Sequence, residues 1–299
     1  MQPQPDFREV AESIGLQLRS ILDDDRIHRC PTELHPRRQN GTYRTDGSRG
    51  WVKNWETGEM AIWHAAREAR CATPPKPLPS LDQRRAEEAA RAEWAAGVAR
   101  HKIAKATAET HPYLARKGFP KALGLVHEGL LLVPARIRDA VVSLQEIDAD
   151  GGKKNLPGGR MSGACFSIGS GRDEVLCEGY ATGLSIKAAL AALHLPARVT
   201  CCFSASNIAT VAERRRNAVV VADHDKPVAQ FDGMGTGEYY ARRTGLPWAM
   251  PAVLGTDAND YHLAAGLPAL QRLLLDLLRT KVAPRVGTDI SNLRSEALR

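Results

Sequence analysis

Five carboxylates fall in three clusters whose order and spacing suit a metal-dependent reaction on phosphates. Glu178 closes the apolar run Val-Leu-Cys at 175–177. Asp223 and Asp225 follow Val-Val-Val-Ala at 219–222, and Asp257 and Asp260 lie in Gly-Thr-Asp-Ala-Asn-Asp-Tyr-His at 255–262. Side chains of an extended segment alternate sides, so Asp223 and Asp225 point one way and His224 the other. Two such carboxylates share a hard cation, Mg²⁺ or Mn²⁺, which prefers oxygen ligands and keeps waters for substrate phosphates. A pair of ions about 4 Å apart stabilises the attacking and leaving oxygens of an in-line displacement. Glu178 suits general acid–base work or a further place in the ligand set. Alone, an Asp-x-Asp pair more often serves as a cap and Glu178 as a solvated loop acid. The third cluster and the strand-end positions favour the chemical reading.

The surrounding pattern supplies the elements that would position these groups. Strands are expected at 174–178, 198–203, 218–223 and near 247–253, with helices at about 181–193, 206–216 and 235–244. Short apolar runs alternating with helical segments predict a buried parallel sheet flanked by helices. Ligands of such sheets bind outside the carboxyl ends of the strands, where Glu178 and Asp223 would converge.

Upstream, the spacing Phe7, Val10, Ile14, Leu18, Ile21 predicts a helix from Phe7 to Leu22. Asn40-Gly41, Asp46-Gly47 and Thr57-Gly58 mark hairpin turns among aromatics between Ile27 and Trp63. Tyr43, Trp51, Trp55 and Trp63 interleave with Arg37, Arg38, Arg44, Arg49 and Lys53. That pattern serves either a β core or a surface stacking single-stranded bases, with Arg49, Trp51, Lys53 and Trp55 the candidate contacts. Cys71–Ser80 reads as a Pro-rich linker, and Leu81 to about Ala108 as a long charged helix. Mixed structure with strands at Leu130–Pro134 and Val141–Ile147 follows, then a basic glycine-rich loop from Lys153 to Arg160. Leu267–Leu278 has helical apolar spacing, and the last dozen residues read as disordered.

Residues 174–262 resemble the Toprim domain shared by DnaG-type primases, topoisomerases and some nucleases. That pattern is a strand-end glutamate, an Asp-x-Asp after a later strand, then a further acidic group. Glu178-Gly-Tyr-Ala-Thr182 and Asp257-Ala-Asn-Asp-Tyr-His262 are similar to the forms found in plasmid and phage primases. Thr182 stands where many DnaG-type proteins carry an aspartate, so no ligand role is transferred to it. Pro112-Tyr-Leu-Ala-Arg-Lys-Gly118 resembles the segment opening the primase catalytic core, and Lys153–Arg160 the basic loop that meets template and nucleotide. The resemblance implies a primase making short primers on a single-stranded DNA template from nucleoside triphosphates. Glu178, Asp223 and Asp225 would be catalytic, with Asp257 and Asp260 joining the metal set. Lys117, Lys153, Lys154 and Arg160 would bind template and nucleotide. The fold implied is α/β: a Toprim domain at 173–265 with a parallel, Rossmann-like sheet. A mixed α+β primase-core subdomain at 111–172 precedes it, after a small α+β module at 1–71 and a linker with charged helix at 72–110. A helix and tail occupy 266–299.

Composition sets the outer bounds. The 299 residues carry a net charge of +7, with 27 basic against 21 acidic residues over 1–172 but 8 against 10 over 173–265. An acidic site inside a basic chain fits a nucleic-acid enzyme. No apolar run is long enough to span a bilayer and no signal core opens the chain, so a cytoplasmic protein with no membrane partner is expected. The six cysteines form no C-x-x-C pair, and His28, Cys30, His35, His64 and Cys71 lack zinc-ligand spacing, so no zinc is expected. Without a G-x-x-x-x-G-K-[ST] loop, any replicative helicase would act in trans, as would a single-strand-binding protein. The alternatives are a Toprim nuclease and a catalytically silent replication adaptor. A topoisomerase would need a separate domain for its nucleophilic tyrosine.

Overall fold

The computed structural model describes residues 5–65 and 80–282. The linker reading for Cys71–Ser80 lies outside the described residues except for Ser80, as does the reading of the last dozen residues. The chain divides into two compact units, Met1–Arg85 and Ala86–Arg299.

In the first unit, α1 (Phe7–Ser13) precedes an antiparallel sheet of β1 (His28–Cys30), β2 (Gly41–Thr45), β3 (Arg49–Asn54) and β4 (Met60–His64), in that spatial order. Asp6 and Glu9 cap α1 reciprocally. The helix is half the length its apolar spacing predicts, because the chain turns at Gly15, whose φ is +75°. Leu16 and Leu18 still enter the core with Phe7, Tyr43 and Val52, but from irregular backbone. Asp46-Gly47 and Thr57-Gly58 make the turns around β3, whereas Asn40-Gly41 begins β2. There a Cβ on Gly41 would come within 2.4 Å of Leu16. The β3–β4 turn is tied to the segment before β2 by Glu56. Its carboxylate accepts from Thr32 Oγ1 and Asn40 Nδ2, each at 2.6 Å, and meets His35 Nδ1.

Most of α2 (Leu81–Lys105) belongs to the second unit. The next elements are β5 (Thr107–Glu109), α3 (Pro112–Arg116), β6 (Gly124–His127), β7 (Leu130–Ile137), β8 (Ala140–Ile147) and β9 (Lys153–Asn155). The five strands form one antiparallel sheet in chain order. Strand alternation splits its two faces. Leu132, Leu144 and Leu156 pack on Ala99 of α2, while Leu131, Val133 and Ile147 pack with Tyr113, Leu114 and Ala181. Lys153–Asn155, read from sequence as loop, is the edge strand of this sheet.

The remaining elements are β10 (Phe166–Ile168), β11 (Asp173–Cys177), α4 (Tyr180–Ala192), β12 (Ala197–Cys201), α5 (Ala205–Ala212), β13 (Ala218–Val221), α6 (Thr236–Arg243), β14 (Trp248–Ala249), α7 (Ala258–Ala265) and α8 (Leu267–Val282). The sheet order is β10-β12-β11-β13-β14. Its last four strands are parallel, as expected, and β10 adds an antiparallel edge. The strand expected near 247–253 shrinks to two residues. Both faces are buried: Val175, Cys177, Val219 and Val221 face α4 and α8, while Leu176, Val220 and Ala222 face α5 and α6. Continuous apolar runs rather than alternating ones follow from that double burial.

Candidate carboxylate site

Glu178 directly follows β11, at the carboxyl end of the sheet. Its backbone carbonyl accepts from Phe203 N at 2.8 Å, and the Ala205 N–H at the start of α5 acts to lower the pKa of its carboxyl. Asp223 lies two residues beyond β13. Asp225 Oδ2 accepts from Gly237 N at 2.8 Å, which fixes it at the start of α6. Gly235 and Gly237 permit this close approach. A Cβ on Gly237 would lie 2.2 Å from Asp223 O, and one on Gly235 would lie 2.3 Å from Asp225 O. His224 turns away, its Nδ1 within 2.8 Å of Pro251 O. Its backbone pairs with Thr256 in a short bridge, which brings the start of α7 alongside.

Asp257 caps α7, accepting from Asp260 N at 2.8 Å, and Asp260 returns the bond to Asp257 N. Asp260 also meets Lys117 Nζ at 3.4 Å. Its carboxylate is thus engaged by a helix end and a cation. Between them, Asn259 is fully buried and donates to Lys117 O and Ser185 Oγ, each at 2.9 Å, tying α7 to α4 and the end of α3. Sequence reading passed over Asn259; its only signal was a polar residue locked between two acids.

The electrostatics single out Asp223. Burial first, then the charges of Glu178, Asp257 and Asp225, push its carboxyl up to about 8, opposed by Lys153. Its Oδ1 is buried without a hydrogen-bond partner. Glu178 is also raised, by burial first and by Asp225 second, again against Lys153. Asp257 acts on both groups. A buried, unpartnered carboxylate oxygen among like charges is what a hard cation would satisfy. Glu178, Asp223, Asp225 and Asp257 are the residues that would hold such an ion. Among the described residues no three acidic, His or Cys side chains are drawn together into a ready-made cage.

The basic residues separate. Lys153 is paired in register with Ile147, on the face shared with Tyr113 and Ala181, and its Nζ lies 6.0 Å from the Tyr113 ring centroid. Lys154 is paired with Glu146, on the face of α2. The glycines after it are packed rather than pliable: a Cβ on Gly158 would meet Arg91 at 3.3 Å, and one on Gly159 would meet Ser143 at 2.2 Å. Arg160 is exposed. In the first unit, Tyr43 and Trp63 join the core, whereas Arg49, Trp51, Lys53 and Trp55 lie outside it. Of the residues weighed for zinc, Cys30 is buried, His28 meets Asp24 and His35 meets Glu56. Cys71 lies outside the described residues.

Residues 173–267 match the family model of the Toprim domain. The match begins at β11 and runs to the first residue of α8, so it encloses all five carboxylates. Among solved structures, similarity is found to a DNA primase domain from Pseudomonas aeruginosa, at 17% identity and TM-score 0.32, over 52% of this chain and 53% of that one. The E. coli primase catalytic core is similar at 16% identity and TM-score 0.32, over 69% of this chain and 80% of that one. The chain thus spans about half the length of the first of these. No helix among the described residues is long and apolar enough to cross a membrane.

Proposed function

We propose that this chain is a DNA primase, synthesising short primers on single-stranded DNA by metal-dependent nucleotidyl transfer in the replication of a plasmid, phage or other mobile element. The observation that carries the reading is the buried, unpartnered Asp223 oxygen among Glu178, Asp225 and Asp257, at the carboxyl edge of a Toprim sheet. Glu178, Asp223, Asp225 and Asp257 would hold the cation, with Asp260 fixing the Asp257 carboxylate through their shared cap. When bound, Mg²⁺ or Mn²⁺, singly or as a pair, supplies charge neutralisation at the reacting phosphate oxygens. Glu178 would take the proton of the attacking primer hydroxyl, its raised pKa suiting it to that work. Lys153 presents a fixed positive charge to the same edge and serves the nucleotide triphosphate, with Lys117, Lys154 and Arg160 further along the template path. Upstream of the Toprim domain, the Tyr113–Gly118 segment is bonded to α7 through Lys117, and this favours the primase reading over the nuclease one. The setting is cytoplasmic, with any helicase or single-strand-binding protein acting in trans.

The test is a product assay. The protein is incubated with single-stranded template, labelled nucleoside triphosphates and Mg²⁺ or Mn²⁺. Short labelled oligomers that vanish with chelator support the proposal. A shortened template with no oligomers would replace it with nuclease activity, and neither product would leave an adaptor.

A further inference from the structure

We propose that the edge at which the parallel strands begin, opposite the carboxylates, carries a second site, where clustered arginines take an oligophosphate anion. β11 and β13 start at this edge and α5 ends at it. A recess of ≈ 340 Å³ opens there, lined by Arg172, Glu174, Glu213, Arg214, Arg215 and Arg216 among others. Four guanidiniums against two carboxylates leave it net positive. Glu178 and Asp223 stand beyond the opposite ends of the same two strands. From Glu174 to Glu178 the strand covers about 13 Å, at roughly 3.3 Å per residue. The two sites are therefore separate.

Local structure builds the recess. A Cβ on Gly171 would lie 2.4 Å from Pro196 O, so the turn that carries Arg172 is packed down beside the start of β12. Backbone bonds from Arg214 and Arg215 to Val211 O and Ala212 O close the end of α5. Glu174 Oε1 accepts from Thr200 Oγ1 at 2.7 Å, and its Oε2 lies 3.5 Å from Arg215 Nε. A guanidinium carries five N–H donors, so this ion pair aims Arg215 and leaves others for an anion. Arg172, Arg214 and Arg216 are exposed, and among the described residues none of them is in an ion pair. One cation would complement the carbonyl end of α5. Three in succession, joined by Arg172 from another turn, exceed that need. Guanidinium groups grip phosphate oxygens through planar pairs of bonds. An oligophosphate gathers several charges within one recess, whereas a nucleic-acid strand spreads its charges along a track and stacks its bases on rings. The lining side chains are all Arg, Glu or Asn, so the recess recognises phosphate and not a base. Inorganic oligophosphate and the triphosphate of a nucleotide share this chemistry. The site does not depend on the catalytic reading.

The experiment titrates the full chain calorimetrically in chelator, so that no metal ion can carry phosphate to the carboxylates. The probes are inorganic triphosphate, ATP, AMP and an oligothymidylate. Triphosphate and ATP should bind and raise the unfolding temperature. AMP, with a single phosphate, should bind at least about tenfold more weakly. Equal affinity for triphosphate and ATP, or tighter binding of ATP, supports the proposal; the second result names nucleotides as the source. Arg214→Ala with Arg216→Ala should weaken triphosphate binding at least about tenfold, as for lost charge-assisted bonds. Arg172→Ala, on a separate turn, should weaken it too and serves if the double variant fails to fold, which circular dichroism checks. Arg272→Ala with Arg279→Ala removes equal charge from exposed positions on α8 and should leave the affinity unchanged. Wild-type affinity in the folded recess variants, or an equal loss in the α8 variant, would overturn the proposal. So would AMP binding as tightly as triphosphate, or oligothymidylate displacing triphosphate at equal phosphate concentration, which would make this edge a nucleic-acid contact.

Discussion

Lys153 and Lys154 are neighbours in sequence, yet β9 pairing assigns one to the face of Ile147 and the other to that of Glu146. Only Lys153 opposes the raised pKa of both Asp223 and Glu178. Lys153→Ala should therefore lower primer synthesis at least about tenfold, as expected for loss of one pre-placed charge. Lys154→Ala should change kcat little and act, if at all, on template affinity. Steady-state kinetics with labelled nucleotides separates the two, and equal losses in both variants would contradict this placement. The distinction was not legible in the sequence, where the pair reads as one basic loop. Strand pairing with β8, a contact set by distant residues, decides it. Glu178, Asp223 and Asp225 were legible because they stand just beyond apolar strands whose ends fix their location, whereas Asp257 and Asp260 open α7. Gly235 and Gly237 were visible as residues but not as contacts, since only the packed start of α6 shows that Asp223 and Asp225 leave no room for a Cβ.

At the scale of elements, the helices and parallel strands around the site follow from apolar runs buried on both faces. Where expectation failed, local chemistry overruled periodicity: Gly15 ended α1, and apolar residues beyond it reached the core without helix. The turns of the N-terminal sheet carry a pH signature of their own. Burial raises Asp46, but bonds from Ser48 and Arg49 outweigh it and hold the carboxyl down at about 2. Bonds from Thr32 and Asn40 hold Glu56 below its ordinary value of 4.5. Groups depressed in the fold stabilise it above their unfolded pKa and lose that contribution as pH falls. The N-terminal unit should thus lose stability from about pH 4.5 down towards about 2. Urea unfolding followed by tryptophan fluorescence measures this, and Glu56→Gln should lower stability at pH 7 while flattening the upper part of the slope. An unchanged slope in that variant would show that Glu56 does not hold the two turns together.

At the scale of the whole molecule, an acidic site lies within a chain of net charge +7. A polyanion would be drawn to such a chain, and on the proposed reading its reacting phosphates would meet carboxylates that need a cation between. Composition made that contrast legible, but it could not indicate which carboxylate bears the strain; burial and the missing partner of Asp223 do. The account therefore stands on one comparison, Asp223→Asn against wild type. It is measured by calorimetric titration with Mn²⁺, thermal unfolding in chelator and primer synthesis on single-stranded template. The variant should bind Mn²⁺ more weakly, unfold at the same temperature or higher because the carboxyl strained by burial and neighbouring charges is gone, and lose at least about a hundredfold in synthesis, as for removal of a group that stabilises the transition state. Wild-type Mn²⁺ affinity together with wild-type synthesis in Asp223→Asn would contradict it.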